Sequence, residues 1–265
     1  LFWLLQSNAI KNEIIKFTRG ATGITSIKND DILNFELPLP PLEIQEQIVK
    51  EIEGYQQIID GCRQVVENYK PVINIDPSWK MIDLGKACNI KSGGTPSRKE
   101  KEYWYGDINW YSSGELNGLF TKPAKEKISL KGLKNSNCQI FPTGSLLVGM
   151  YDTAAFKMSI LSQDSAFNQA ICGIEINEKI NLKFLYIFFQ TNKDIYLNKR
   201  VGARQRNLSK KFFSELKIPF IDIKIQNKIA EKIEQEIKLI ENNKELIKIY
   251  ENKINARINK VWSDN

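Results

Sequence analysis

The chain has 265 residues, 42% of them apolar, which is enough for one large packed core or two modest ones and too much for a disordered segment. Lysine and arginine outnumber the acids 38 to 31, and the formal charge of +7 favours polyanionic partners over acidic surfaces. Histidine is absent, which removes Ser-His-Asp and Cys-His nucleophile systems, His-ligated zinc and a histidine general base; Cys62, Cys88, Cys138 and Cys172 form no Cys-x-x-Cys pair and read as reduced thiols.

In chain order, Leu1 to Asn8 read as an amphipathic or buried helix, followed by polar segments and a Gly20–Gly23 loop. The opening Leu1-Phe2-Trp3-Leu4-Leu5 is too short to span a membrane, and no other uninterrupted apolar run reaches that length. The sequence starts without methionine, inside a repeat unit described below. It is therefore expected to be a piece of a longer subunit, with Phe2, Trp3 and Leu5 partly uncovered.

Pro38, Pro40 and Pro41 stop that first segment, and a helix of roughly 40 Å is expected from about Glu43 to about Tyr69. Its apolar residues Ile48, Ile52, Tyr55, Ile59, Cys62, Val66 and Tyr69 are spaced by fours and threes, the seam of a helix pair. Pro71 and Pro77 mark a linker after it.

From Trp79 to about Ile218 the pattern changes to short apolar runs broken by Gly, Pro, Ser and Asn. Strands are expected at 108–111, 139–141, 145–150, 159–161 and 170–176, and a buried helix at 182–190. The last helix is expected from about Ile225 to about Trp262, roughly 55 Å, with Ile233, Ile240, Ile247, Ile254 and Val261 recurring every seven residues. The fold class is therefore α+β: a mixed α/β domain flanked by two long helices that pack as an antiparallel coiled coil. The boundaries expected are 1–41, 42–75, 76–220 and 221–265.

The two helices belong to a long-period repeat. At an offset of 181 residues Leu42, Ile44, Gln45, Ile48, Ile52 and Glu53 meet Ile223, Ile225, Gln226, Ile229, Ile233 and Glu234. Upstream, Leu1 to Asn8 resembles Leu185 to Asn192, and Gly20-Ala21 resembles Gly202-Ala203.

Candidate binding groups lie in the middle domain. Lys91, Ser92, Thr95, Ser97, Arg98 and Lys99 surround Gly93-Gly94 and offer hydroxyl and cationic donors to phosphate, although the spacing is not that of a nucleotide-binding phosphate loop. Ser113, Tyr151, Asn168 and Gln169 are candidates for contacts near bases, since Asn and Gln amides match the major-groove edge of adenine. Arg200, Arg204, Arg206 and Lys210 make the densest basic stretch, with a solvated charge run as the bland alternative. Asp107, Glu115, Asp152 and Asp164 are scattered, with no nuclease or methyltransferase motif around them.

In order along the chain, Trp79, Leu84-Gly85, Gly93-Gly94-Thr95-Pro96-Ser97, Tyr103-Trp104, Ile108-Asn109-Trp110, Pro142 with Gly144, Asn168-Gln169 and the repeated Leu39-Pro40-Pro41-Leu42-Glu43-Ile44-Gln45 resemble the specificity subunit of type I restriction-modification enzymes. The resemblance implies two target-recognition domains, each followed by a spacer helix, with the helices packed antiparallel as a ruler between DNA half-sites. It also implies modification subunits that bind S-adenosylmethionine, a restriction subunit that uses ATP and Mg, a cytoplasmic location in a prokaryote, and no metal, cofactor or catalysis on the specificity subunit itself. This chain departs from the pattern in holding only the C-terminal remnant of a first recognition domain (1–41) and Ile221-Asp222 where the first repeat has Pro40-Pro41. It is thus expected to read one half-site. The competing reading is a non-DNA interaction module that dimerises through its long helices; a stand-alone endonuclease is a third.

Overall fold

The computed structural model describes residues 2–5, 8–17, 28–33, 37–199 and 207–263. The chain forms two compact units, Leu1–Tyr69 with Glu236–Asn265, and Lys70–Gln235.

In the first unit, short helices α1 (Phe2–Leu5), α2 (Asn8–Phe17) and α3 (Asn29–Leu33) precede the long α4 (Leu42–Asn68). Pro41 is extended at φ −50°, ψ 148°, and its carbonyl accepts from the Ile44 and Gln45 amides, so the helix starts directly behind the proline pair. Against α4 lies the 236–263 portion of the last helix. Tyr69 donates to Glu236 (3.1 Å), Arg63 to Glu251 (2.7 Å) and Arg257 to Glu51 (2.9 Å), so numbers rise along one helix as they fall along the other. The pairing is antiparallel. Ile48, Ile52, Ile59, Ile254, Ile258 and Val261 form its buried seam, flanked by Tyr55, Ile247, Tyr250 and Trp262. An isolated helix of this length is marginal in water, and Ile52, fully buried, contributes about 1.5–3 kcal/mol of the stabilisation that the pair supplies. Trp3 and Leu4 pack on the same cluster, whereas Phe2 and Leu5 are exposed, so the expected uncovered face is narrower than the sequence suggests.

In the second unit β1 (Met81–Asp83), α5 (Leu84–Ala87), β2 (Asn89–Ser92), β3 (Ile108–Tyr111), β4 (Glu126–Ile128), α6 (Leu130–Lys134), β5 (Leu146–Gly149), β6 (Met158–Ile160), β7 (Ala166–Phe167), β8 (Ile171–Glu175), α7 (Leu182–Thr191), α8 (Lys193–Leu197), α9 (Lys210–Glu215) and β9 (Lys217–Pro219) lead into α10 (Ile223–Ser263). The sheets have orders β2-β8-β5-β6, β4-β3-β7 and β1-β9. β5 is buried on both faces. Leu146 and Val148 join the main core with Phe184, Leu185, Phe188 and Phe213, while Leu147 faces a second cluster of Tyr111, Phe141, Phe167 and Ile171. A strand covered on both sides reads as continuous apolar sequence, which is why β5 and its neighbours β6 and β8 stand out in the sequence while the edge strand β2 does not.

Two expectations are corrected. Residues 139–141 form no strand, only an isolated bridge from Phe141 to Ser165. Ile233 does not pair with α4: it is buried with Ala230 and Ile218 in the core of the sheet domain, because the first turns of α10 close that core. Val66 and Ile240 are half-buried and stand outside the helix-pair cluster.

The repeat is also structural. Gln45 donates to the carbonyl of Pro40 (2.7 Å), and its counterpart Gln226 donates to that of Ile221 (2.9 Å), each five residues back. Gln226 is fully buried, donates to the Lys179 carbonyl as well, and accepts from the Asn181 amide. Its second set of bonds comes from its own domain.

Candidate nucleic-acid interface

Strand register decides which loops meet. β5 and β8 run antiparallel with Gly149 opposite Ile171, and β2 and β8 antiparallel with Ser92 opposite Cys172. The ends of β2 and β5 and the start of β8 therefore lie at one end of the four-stranded sheet, and the segments around Thr95, Tyr151 and Asn168 leave from it together. β3 and β7 are parallel with Tyr111 opposite Phe167, and the Asn168 amide donates to the Tyr111 carbonyl (2.9 Å), which brings Ser112 and Ser113 to the same end. The Leu208 amide donates to the Met150 carbonyl (2.8 Å) and adds Asn207 and the start of α9. Lys91, Ser92 and Lys210 share an open polar groove with Ser136, Asn137 and Gln139.

Within this cluster the Thr95 hydroxyl donates to Gln169 Oε1 (2.5 Å), fixing an exposed amide. Asn168 Oδ1 accepts from the Ala170 amide (3.1 Å), so one of the four hydrogen bonds its side chain can make is used by the turn. Ser113 opens a 3₁₀ turn, Ser113–Glu115, capped by Ser112 and Glu115: the Glu115 carboxylate accepts from both the amide and the hydroxyl of Ser112 at 2.8 Å. Tyr151 stands at the rim, immediately before the turn Asp152–Ala154. Lys91 and Lys210 are exposed.

The glycine pair does something other than what the sequence suggests. A Cβ on Gly93 would lie 2.0 Å from the Phe167 carbonyl oxygen, and one on Gly94 2.5 Å from the Asn137 carbonyl carbon. The close approach is to protein backbone, not to phosphate. The amides are occupied too, Gly93 donating to Ile171 (3.3 Å) and Gly94 to Phe167 (2.9 Å). Gly94's carbonyl accepts from Trp110 Nε1 (2.9 Å) and from the Cys138 thiol (3.0 Å). The loop is a clasp between the sheets.

Arg98 is likewise committed. Its guanidinium stacks on Trp104 at 3.5 Å from the ring centroid and forms a two-pronged pair with Glu126, with Nη2 to Oε2 at 2.9 Å. Glu126 thereby holds the guanidinium more firmly protonated, and the arginine keeps the Glu126 carboxyl below the usual carboxylate range. Ser97 accepts from the Lys99 amide (3.3 Å) and from Trp104 Nε1 through its carbonyl (3.2 Å). Lys99 is exposed beside them. Arg200, Arg204 and Arg206 lie outside the described residues.

At this end sequence reasoning misses Lys157 and names Asp152 and Asn207 as members of the segments 149–153 and 199–207. Asp152 has φ +47°, Asn207 accepts from its amide at 3.4 Å, and Lys157 donates to Asn117 (3.4 Å) next to the same turn. Only the run of polar residues flanking apolar strands hinted at them; a positive φ at a non-glycine residue leaves no mark in sequence.

The chemistry gathered here is that of binding: hydroxyls, amides and ammonium groups on convergent loops. Burial pushes the Cys88 and Cys172 thiols up to about 12 and raises that of Cys138, so none of them is a thiolate nucleophile at neutral pH. Among the described residues no group of three or more Cys, Asp or Glu side chains is placed to hold a metal ion, and no helix is long and apolar enough to cross a membrane.

Comparison with known proteins adds the family. Residues 1–68 and 77–251 match the type I restriction modification DNA specificity domain. The chain is 29% identical over 193 residues, 71% of its length and 44% of the relative's, to the type I restriction enzyme MjaIX specificity subunit of Methanocaldococcus jannaschii. It is 26% identical over 121 residues, 43% of its length and 29% of the relative's, to the EcoprrI specificity subunit of Escherichia coli. It spans less than two thirds of either relative. The fold is that of the HsdS subunit from Thermoanaerobacter tengcongensis, with TM-score 0.62 at 16% identity over 98% of this chain and 68% of that one. A chain from a solved type I R-M system matches with TM-score 0.67 at 18% identity, covering 98% and 69%. Since the domain match covers 1–68 and 77–251, most of the chain, including both copies of the repeat and nearly all of the sheet domain, this chain belongs to the type I restriction modification DNA specificity domain family.

Proposed function

We propose that the chain is the DNA-reading part of a type I restriction-modification complex, in which residues 76–220 grip one half of a split duplex target and the helix segments 42–75 and 221–265 hold that reader at a set distance. Residues 1–41 are the end of a first recognition domain. Modification and restriction subunits dock on the scaffold and carry S-adenosylmethionine, ATP and Mg, while this chain makes and breaks no bonds; the complex works in the cytoplasm of a prokaryote. The observation that carries the reading is the convergence of Lys91, Ser92, Thr95, Ser113, Tyr151, Asn168, Gln169 and Lys210 at one end of one sheet in a basic protein of this family. Lysines there neutralise phosphates and set register, while the amides and hydroxyls address base edges. Arg98 is left out of the contact set because Glu126 already neutralises it.

The test is equilibrium binding of the chain to mixed-sequence duplex DNA at two salt concentrations. Binding that weakens steeply with salt, and weakens less steeply in the Lys91→Ala/Lys210→Ala variant, supports the reading. Absence of binding at low salt refutes it and favours the interaction-module alternative. Magnesium-dependent cleavage by the purified chain would refute the non-catalytic assignment.

A further inference from the structure

Resting on the reading above, we propose that Asp152 is a specificity-determining residue, whose carboxylate accepts a hydrogen bond from the exocyclic amino group of a base, cytosine N4 or adenine N6, in the major groove. Asp152 tips the loop between β5 and β6. It holds φ at +47°, and Phe156 in the same loop holds +59°, the left-handed region where glycine is at ease and larger residues are strained. Such backbone persists only where surrounding structure over-determines it.

The surroundings do so here. Phe156 is buried against Tyr196 (5.2 Å), Phe213 (5.6 Å) and Phe189 (5.8 Å). Its amide donates to Gly149 (2.8 Å), and the Gly149 amide donates to Lys157 (2.8 Å). Met150 donates to Ala170 and accepts from Leu208, both at 2.8 Å. The loop is clamped at both ends and across its base, so its tip is a rigid projection at the end of the sheet where the DNA contacts gather.

What the tip presents is a carboxylate. Asp152 is exposed, and among the described residues its side chain has no ion pair or hydrogen bond. Aspartate is among the few non-glycine residues that this backbone accepts, so the turn holds it without drawing on its carboxylate. Toward phosphate a carboxylate is repulsive; toward a base it is an acceptor, and cytosine N4 and adenine N6 are the major-groove donors it suits. An acidic residue inside a basic interface therefore reads sequence rather than adding affinity.

The experiment selects bound duplexes from a random-sequence library with the full chain, its Asp152→Asn and its Asp152→Gly variants, and sequences the pools. Both replacements tolerate positive φ, so a residue needed only for the turn is satisfied by either. The expected result is one position, cytosine or adenine on one strand, preferred by about tenfold or more in the wild-type pool, lost in the Asp152→Gly pool and kept or turned toward adenine in the Asp152→Asn pool, whose amide oxygen still accepts, with affinity for mixed DNA equal or higher. The base lost identifies which amino group is read. A wild-type motif retained unchanged by Asp152→Gly refutes the assignment of Asp152 while leaving the DNA reader intact. Enrichment of nothing by the wild-type chain refutes that reading, and this inference with it.

Discussion

Gly93→Ala separates two explanations of the glycine pair. The new methyl would sit 2.0 Å from the Phe167 carbonyl oxygen and 2.4 Å from that of Asn168, both backbone atoms of the strand turn that carries Gln169. Ordinary contact needs more than an ångström of additional room, so the loop must retreat. Retreat lengthens the bonds from Gly93 to Ile171 and from Gly94 to Phe167 and draws Thr95 off Gln169. Two backbone hydrogen bonds at about 1 kcal/mol each, with roughly 1–3 kcal/mol for overpacking, give a loss of about 3–5 kcal/mol. In urea denaturation followed by tryptophan fluorescence, with a slope of about 2 kcal/mol/M, the midpoint falls by about 2 M. DNA affinity falls as well, because the loops at the sheet end lose their clasp. If the glycines served phosphate instead, Gly93→Ala would keep its midpoint and lose only affinity. That outcome would refute the clasp.

Ile52→Ala, at the centre of the helix-pair seam, is expected to cost about 2–5 kcal/mol by the same denaturation method, with Ile52→Val at about 0.5–1.5 kcal/mol. Arg98→Ala should lower stability by roughly 1 kcal/mol through loss of the Trp104 stack and the half-exposed Glu126 pair, yet leave the salt slope of DNA binding unchanged; a shallower slope returns Arg98 to the contact list. Lys91→Ala with Lys210→Ala should weaken binding to all sequences alike and reduce the salt slope by about 2. On the alkaline side, Cys88 and Cys172 keep their protons to about pH 12 when folded but ionise near 9 when unfolded, so the unfolded chain binds fewer protons between those values. Stability is then full below pH 9 and declines above it by up to about 1.4 kcal/mol per pH unit for each thiol, and Cys172→Ala should flatten that decline in denaturation curves taken at successive pH values.

The parts of this fold that sequence revealed are those where one physical signal dominates. Heptad spacing places a helix from about Glu43 to about Tyr69, observed as α4 (Leu42–Asn68), and most of α10, and the two-sided burial of β5 made Leu146–Gly149 conspicuous. β1, β2, β4, β7 and β9 escaped because they carry no continuous apolar run and take their identity from partners distant in sequence. Ile233 shows the limit of periodicity: the seven-residue spacing continues through it, but what it packs on is decided by which unit the turn belongs to. The candidate site was legible as residue types, not as geometry. Thr95 and Gln169 are both visible in the sequence, yet nothing there joins them across the intervening strands. The commitment of Arg98 to Glu126 and Trp104 is equally a matter of tertiary placement.

The most direct measurement of the central claim is hydrogen exchange of the chain with and without a duplex recovered from the random-sequence selection. The account predicts slowed exchange in peptides covering 92–96, 112–117, 150–157, 167–170 and 207–211, with the helix-pair seam around Ile52 and Ile254 unchanged. Slowing confined to the helix pair, or to the opposite end of the four-stranded sheet around Ser145 and Leu161, would contradict it.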